Sequence, residues 1–472
     1  MKTIIITIFV SIFCIPLHAQ VQKPKYIFLC IGDGMGQVQT QVADAYLREQ
    51  SKDSIPFLYF PHNGFQTTYS LSSKITCSAA AGTALACGVK TKANHIGVDA
   101  TGLFKLESIA TTLKKKGYKI GILTSVSIDH ATPAVFYAHD ASRSNYHSIA
   151  MQLPESQFDF FGGGAFVKPV NGKHNAYAEL KKYKYSLITS PDSLQYAAQL
   201  KTKVCVFDNH TELSYGIDAL NNRMKLSDIM STAIACVQSP QGFFIMVEGG
   251  KIDWACHSND AATSIGETVE FSKAVDKAIE WYKQYPNETL IIVTADHETG
   301  GMGVGAALYP YYTNIGLLAN QQSSYVVCEQ KITEKINTYG TQFTFDSCMT
   351  FLSGMYAIGQ NNLQLQAYDS LRLQRAYNFV FSIDDKTNSD DARLLYNLSP
   401  SALYTSGNKA QAIVVTMNKI LAEKSGIGWT TYAHTGVAVP VYAIGAGSEI
   451  FEGTYDNTDI PKKILSLLEI TK

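Results

Sequence analysis

The chain is 472 residues long, carries 39 basic and 40 acidic side chains, and has a mean hydropathy of -0.03. A balance so close to neutral excludes electrostatic docking on nucleic acid or on an anionic membrane surface. The length fits two or three average domains, or one large α/β domain carrying an insertion.

Residues 1–19 read as a secretory leader. Lys2 supplies the charge, Ile4 to Pro16 the apolar stretch and Ala19 the small residue before cleavage at Gln20. Cys14 lies inside it without the small residues that precede a lipidated cysteine. The leader is too short to span a bilayer, and no later run is apolar for long enough. The mature chain is therefore expected to be exported, periplasmic or secreted.

The first strand is expected over Tyr26–Ile31, leading into the glycine-flanked Asp33 of Gly32-Asp33-Gly34-Met35-Gly36. Without a following Lys-Ser/Thr this loop is not a P-loop. Ser78–Cys87 reads as a helix of small residues with Ser78 at its start, where free N–H groups and the positive dipole end favour an anion. A helix over Leu106–Lys116 and a strand over Lys119–Thr124 follow, then Asp129-His130-Ala131-Thr132-Pro133. Beyond the Leu226–Val237 helix, the Phe243–Val247 strand runs into Glu248. Asp253 and His257, four residues apart, share one face if their segment is helical. A helix over Ile265–Gln284 and a strand over Leu290–Thr294 lead to Asp296 and His297. His434 precedes the last apolar run, Val437–Ile444, and a helix over Ile460–Leu468 closes the chain.

Continuous apolar runs alternating with helical patterns imply an α/β fold, a doubly wound and mostly parallel sheet with helices on both faces. Ligands of such sheets gather at the carboxyl ends of the strands, where Asp33, Glu248 and Asp296 would sit. Residues 302–432 differ: Tyr, Gln, Asn and Ser dominate, and helices such as Asp346–Tyr356 and Ala410–Lys424 stand between polar turns. They are expected to form an inserted cap region, with 20–301 and 433–472 forming the main domain. Of nine cysteines, Cys328 and Cys348 are the plausible disulfide pair, while Cys30 reads as a buried small residue.

Carboxylates and imidazoles in such numbers, with a serine beside them, point to an enzyme with a polynuclear metal site and a covalent intermediate. The segments resemble the alkaline phosphatase family. The resemblance rests on Thr76-x-Ser78-Ala79-Ala80 and on Ala131-Thr132-Pro133-Ala134 followed by Ala138-His139-x-x-Ser142-Arg143. It continues with Glu248-Gly249-x-x-Ile252-Asp253-x-x-x-His257, Ile265-Gly266-Glu267-Thr268-Val269, Thr294-Ala295-Asp296-His297 and His434-Thr435-Gly436.

This resemblance implies a phosphate-monoester hydrolase with two zinc ions and one magnesium. One zinc would take Asp253, His257 and His434; the other Asp296, His297, Asp33 and the Ser78 oxygen. Magnesium would take Asp33, Thr132 and Glu248, with His130 beside it. Ser78 would be the nucleophile and Arg143 the phosphate clamp. Small phosphomonoesters would be the substrates and a homodimer the assembly; a phosphodiesterase or sulfatase on the same scaffold is the alternative. Three positions depart from the family pattern. Cys77 replaces an aspartate that helps orient the arginine, which implies a less restrained Arg143. His130 could move the third site toward zinc or cobalt. Trp254 brings shape rather than charge near the phosphate.

Overall fold

Ten strands make one twisted sheet in a computed structural model that describes residues 23–218, 223–360, 362–381 and 410–471. The expected leader, with Cys14, lies outside these residues. In chain order the strands are β1 (Tyr26–Gly32), β2 (His62–Thr67), β3 (Lys119–Ser127), β4 (Phe160–Gly164) and β5 (Tyr185–Ile188). Then come β6 (Lys203–Phe207), β7 (Phe243–Gly249), β8 (Thr289–Thr294), β9 (Val439–Gly445) and β10 (Gly453–Asp456). Across the sheet the order is β10-β2-β9-β8-β1-β7-β3-β4-β6-β5.

Both faces are covered. In β1, Tyr26, Phe28 and Cys30 point into one hydrophobic core, and Ile27, Leu29 and Ile31 into the other. Period-two alternation with no polar position is what a central parallel strand requires. Cys30 is fully buried in the first core, as read from the sequence. The sheet is parallel except for β9, which runs against both β8 and β2. The apolar pattern of Val437–Ile444 could not reveal this reversal. His434–Thr435 pairs with Glu298–Thr299 at the carboxyl end of the neighbouring strands. The chain therefore enters β9 from that end and must run the other way.

The helices Ser78–Cys87 and Leu226–Val237 have the expected bounds. The long helix starts earlier than read, at Ala261, because the Asp260 side chain caps it by accepting from Thr263 N–H. Within 302–432 the described residues form four principal helices, Tyr325–Tyr339, Phe345–Tyr356, Ala367–Phe381 and Gln411–Lys424. Their buried residues, among them Cys328, Leu352, Leu373 and Ile413, join the same core as Tyr26 and Phe28. The expected disulfide is absent: Cys328 and Cys348 are both buried free thiols. Each packs as a small apolar side chain, and burial pushes each thiol up to about 12.

Candidate metal centre

Every candidate ligand comes to one edge of the sheet. Asp33 leaves β1, Glu248 ends β7, Asp253 and His257 lie on the helix Lys251–His257 that follows it, and Asp296 and His297 leave β8. His434 joins them only because β9 is antiparallel. Two glycines let these parts close up. A Cβ at Gly34, where φ is +72°, would lie 2.8 Å from Asp253 Cα. One at Gly82 would press on Val135 Cγ2 at 3.1 Å, so the Ser78–Cys87 helix seats against the turn carrying Thr132.

The donors fall into three overlapping groups among the described residues, their ligand atoms within 4.8 Å of one another: Asp253–His297–His434, Asp33–Asp296–His297 and Asp33–His130–Glu248. The second brings together Asp33, Asp296 and His297, with Ser78 Oγ 3.3 Å from His297 Nε2. The first brings in His297 beside the expected residues. His257 also reaches it, its Nε2 3.3 Å from Asp253 Oδ2 and 3.2 Å from His434 Nε2. At the third, Thr132 donates to Asp33 Oδ2 at 3.3 Å.

Orientation comes from the backbone. His257 Nδ1 donates to Tyr432 O at 2.5 Å, and His434 Nδ1 to Thr76 O at 2.8 Å. With Nδ1 protonated, both Nε2 lone pairs face each other beside Asp253, and a cation or a shared proton must lie between them. Burial alone would lower His257, yet Asp253 raises it to about 9, while His434 is lowered mainly by burial. Burial likewise works to raise Asp253, but the surrounding imidazoles hold it well below the ordinary carboxylate range.

The other carboxylates lack such relief. Burial, then the charges of Asp296, Asp253 and Glu248, push Asp33 well above its ordinary value. Burial carries Asp296 to about 8 and Glu248 to about 7. Asp33 Oδ1, Glu248 Oε1, Asp296 Oδ2 and His130 Nδ1 are buried with no hydrogen-bond partner. Orphaned anionic oxygens beside imidazole lone pairs are the chemistry of divalent-cation sites, and these residues fit such ions.

Supporting residues were missed in the sequence. Thr124 donates to Glu248 Oε2 from the paired position on β3. Its signal was a polar residue at the end of an apolar run, beside a ligand-bearing strand. Thr299 donates to Asp253 Oδ1 at 2.5 Å and lies 3.3 Å from His297 Nδ1, and no motif marks it. Arg143 is also held differently from expectation: its Nη2 donates to His130 Nε2 at 2.9 Å. Cys77 Sγ accepts from Asn94 N–H, and Asn94 O accepts from Arg143 N–H at 2.8 Å. The thiol thus steadies the arginine's backbone but not its guanidinium. Trp254 packs edge-on against His130, ring centroids 6.0 Å apart. Burial, then Arg143, keeps His130 neutral, its pKa about 3.

A model of the alkaline phosphatase family matches residues 24–160 and 170–470. The chain belongs to the alkaline phosphatase family. Alkaline phosphatase 3 of Bacillus subtilis is 31% identical over 458 residues, spanning 94% of this chain and 89% of that protein. The alkaline phosphatase of Schizosaccharomyces pombe is 26% identical, over 93% of this chain and 80% of its own. Among solved structures, the cold-active alkaline phosphatase of a Shewanella species superposes with a TM-score of 0.76 at 27% identity, covering 94% of this chain and 99% of that one. The Thermus thermophilus enzyme shares the fold at the same TM-score, with 24% identity and coverage of 96% and 94%. The chain is a phosphatase of this metal-dependent family, and the carboxyl end of its sheet carries candidate metal-binding groups. No described helix is long and apolar enough to cross a membrane.

Proposed function

We propose that this chain is an exported alkaline phosphatase that hydrolyses phosphate monoesters through a phosphoserine on Ser78. Its cofactors in this reading are two zinc ions and one magnesium. The catalytic domain is 20–301 with 433–472, the segment 302–432 is an insertion, and the assembly is a homodimer. The observation that carries the reading is Ser78, a buried residue at the start of a ten-residue helix, its Oγ 3.3 Å from His297 Nε2 within the donor clusters.

Asp253, His257, His434 and His297 suit zinc by their imidazole content, and Asp33, Thr132 and Glu248 suit a hard cation by their oxygens. Cations held there would supply positive charge against the serine alkoxide, the phosphoryl oxygens and the departing oxygen. Ser78 Oγ gives up its proton and attacks phosphorus as the ester P–O bond breaks and the alcohol leaves with a proton. The free N–H groups of the Ser78–Cys87 helix face the oxygens of the phosphoserine so formed. Water then adds to phosphorus, the Oγ–P bond breaks, and the proton returns to Ser78. Arg143 spans two phosphate oxygens with its planar fork. Two in-line displacements give net retention at phosphorus.

The test is hydrolysis of a monoester and a matching diester before and after chelation. Monoester turnover lost to chelator and restored by zinc plus magnesium supports the reading. Preference for the diester would move the chain to phosphodiesterase or sulfatase chemistry.

A further inference from the structure

Glu267 gives no donor to the metal clusters; it lines a cavity of about 270 Å³ beside them. Strands β3 and β7 carry the cavity on one face and the third donor group on the other. Successive strand residues face opposite sides of a sheet. Thr124 and Glu248 turn to the metal edge, where the threonine hydroxyl donates to the carboxylate. Ser125 and Gly249 turn to the face of Leu123, Val247 and Phe271. A Cβ at Gly249 would stand 2.9 Å from Phe271 Cγ, so the bare glycine lets that ring form the wall. The cavity lies near the lower end of the range for ligand sites, and so selects a small molecule.

Its interior is polar but balanced in charge. Glu267 is only 6% exposed, and its Oε1 accepts from Gly216 N–H at 2.7 Å. Its Oε2 has no hydrogen bond among the described residues. Lys251, buried beneath with its Nζ 3.3 Å over the Tyr215 ring, is the cation that offsets the Glu267 charge. Ser125, 5% exposed, and Ser214 also line the cavity, and neither Oγ has a hydrogen-bond partner. Buried polar atoms without partners call for one. At the mouth, Arg223 is answered by Asp208 at 2.8 Å and Lys273 by Glu270 at 2.6 Å. Lys225 is exposed and makes no ion pair among the described residues, and it stands at the N-terminus of the twelve-residue helix Leu226–Val237. A helix start with a free lysine favours an anion.

We propose that this cavity is a second ligand site, separate from the metal centre, which takes a short hydroxylated carboxylate of about three to four carbons. Its carboxylate would meet Lys225, and its hydroxyls would donate to Glu267 Oε2 and exchange hydrogen bonds with Ser125 and Ser214. One unanswered lysine suits a monoanion better than a phosphate dianion, and the offset charge inside suits hydroxyls better than an ammonium group. Nothing in this site depends on the phosphatase reading.

The test is calorimetric titration of the metal-loaded protein, saturated with inorganic phosphate, with D-glycerate. We expect one-to-one saturable binding, about tenfold tighter than that of propionate, which lacks the hydroxyls, or glycerol, which lacks the charge. Ser125→Ala and Lys225→Gln should each weaken it about fivefold, the scale of one hydrogen bond. Lys225 is exposed, so its variant keeps the test open if the other fails to fold. No saturable binding of glycerate would overturn the proposal, leaving a cavity that holds water only. Propionate or glycerol binding as tightly as glycerate would overturn the assigned chemistry. Glycerate affinity unchanged in Lys225→Gln would place the ligand elsewhere and overturn the site.

Discussion

The carboxyl edge of the sheet and the helices of 302–432 are stabilised by opposite means. At the edge, Asp33, Glu248, Asp296 and His297 are completely buried polar groups whose lone pairs converge. In the helices, Leu352, Ile332 and Leu373 pack apolar surface into the core shared with β1. One region gives up stability by burying repelling carboxylates, and so gains affinity for cations. The other adds ordinary hydrophobic burial and carries none of the candidate ligands among its described residues. The difference teaches that activity and stability are separable here, and substitutions should divide along the same line.

The largest effect is expected at the nucleophile. Ser78→Ala should reduce monoester turnover on the order of 10⁴-fold or more, as loss of a covalent nucleophile does. Thermal unfolding of the variant should change little; turnover near wild type would remove Ser78 from the reaction. Leu352→Ala should cost about 2–5 kcal/mol of stability through a buried cavity, read by denaturant unfolding. Metal content and kcat of the folded fraction should stay as they are, and a loss of bound metal would break the proposed separation. Chelation should lower the thermal midpoint by releasing the repelling carboxylates. The stabilisation restored by free metal at a thousandfold above its Kd is about 4 kcal/mol per site, and an unchanged midpoint would contradict the charge argument. Thr299→Val should weaken metal binding about 10–100-fold, because Thr299 orients Asp253. Competition against a chromogenic chelator measures this, and unchanged affinity would make Thr299 a packing residue only.

Much of the edge was legible because its chemistry needs particular residue types at strand ends. Asp33, Glu248 and Asp296 follow apolar runs long enough to read as strands, and Asp253 and His257 show helical spacing. The rest depended on the third dimension. The reversal of β9 leaves no trace in its apolar pattern, yet it brings His434 to the site. The outer strands β5 and β2 are only partly buried, so their alternation was too weak to read. Thr299 and Thr124 act through single hydroxyls that look like any other threonine. The hold on Arg143 could not be seen either. Its partner His130 was read as a possible metal neighbour, and their 2.9 Å contact exists only in the folded chain.

The account turns on a covalent bond between Ser78 and phosphorus. Acid-quenched enzyme, mixed with a phosphate monoester for milliseconds and digested for mass spectrometry, tests it most directly. Phosphate on the peptide containing Ser78, absent from Ser78→Ala and absent after chelation, is the result predicted. Rapid turnover with Ser78 unmodified at every time would contradict it.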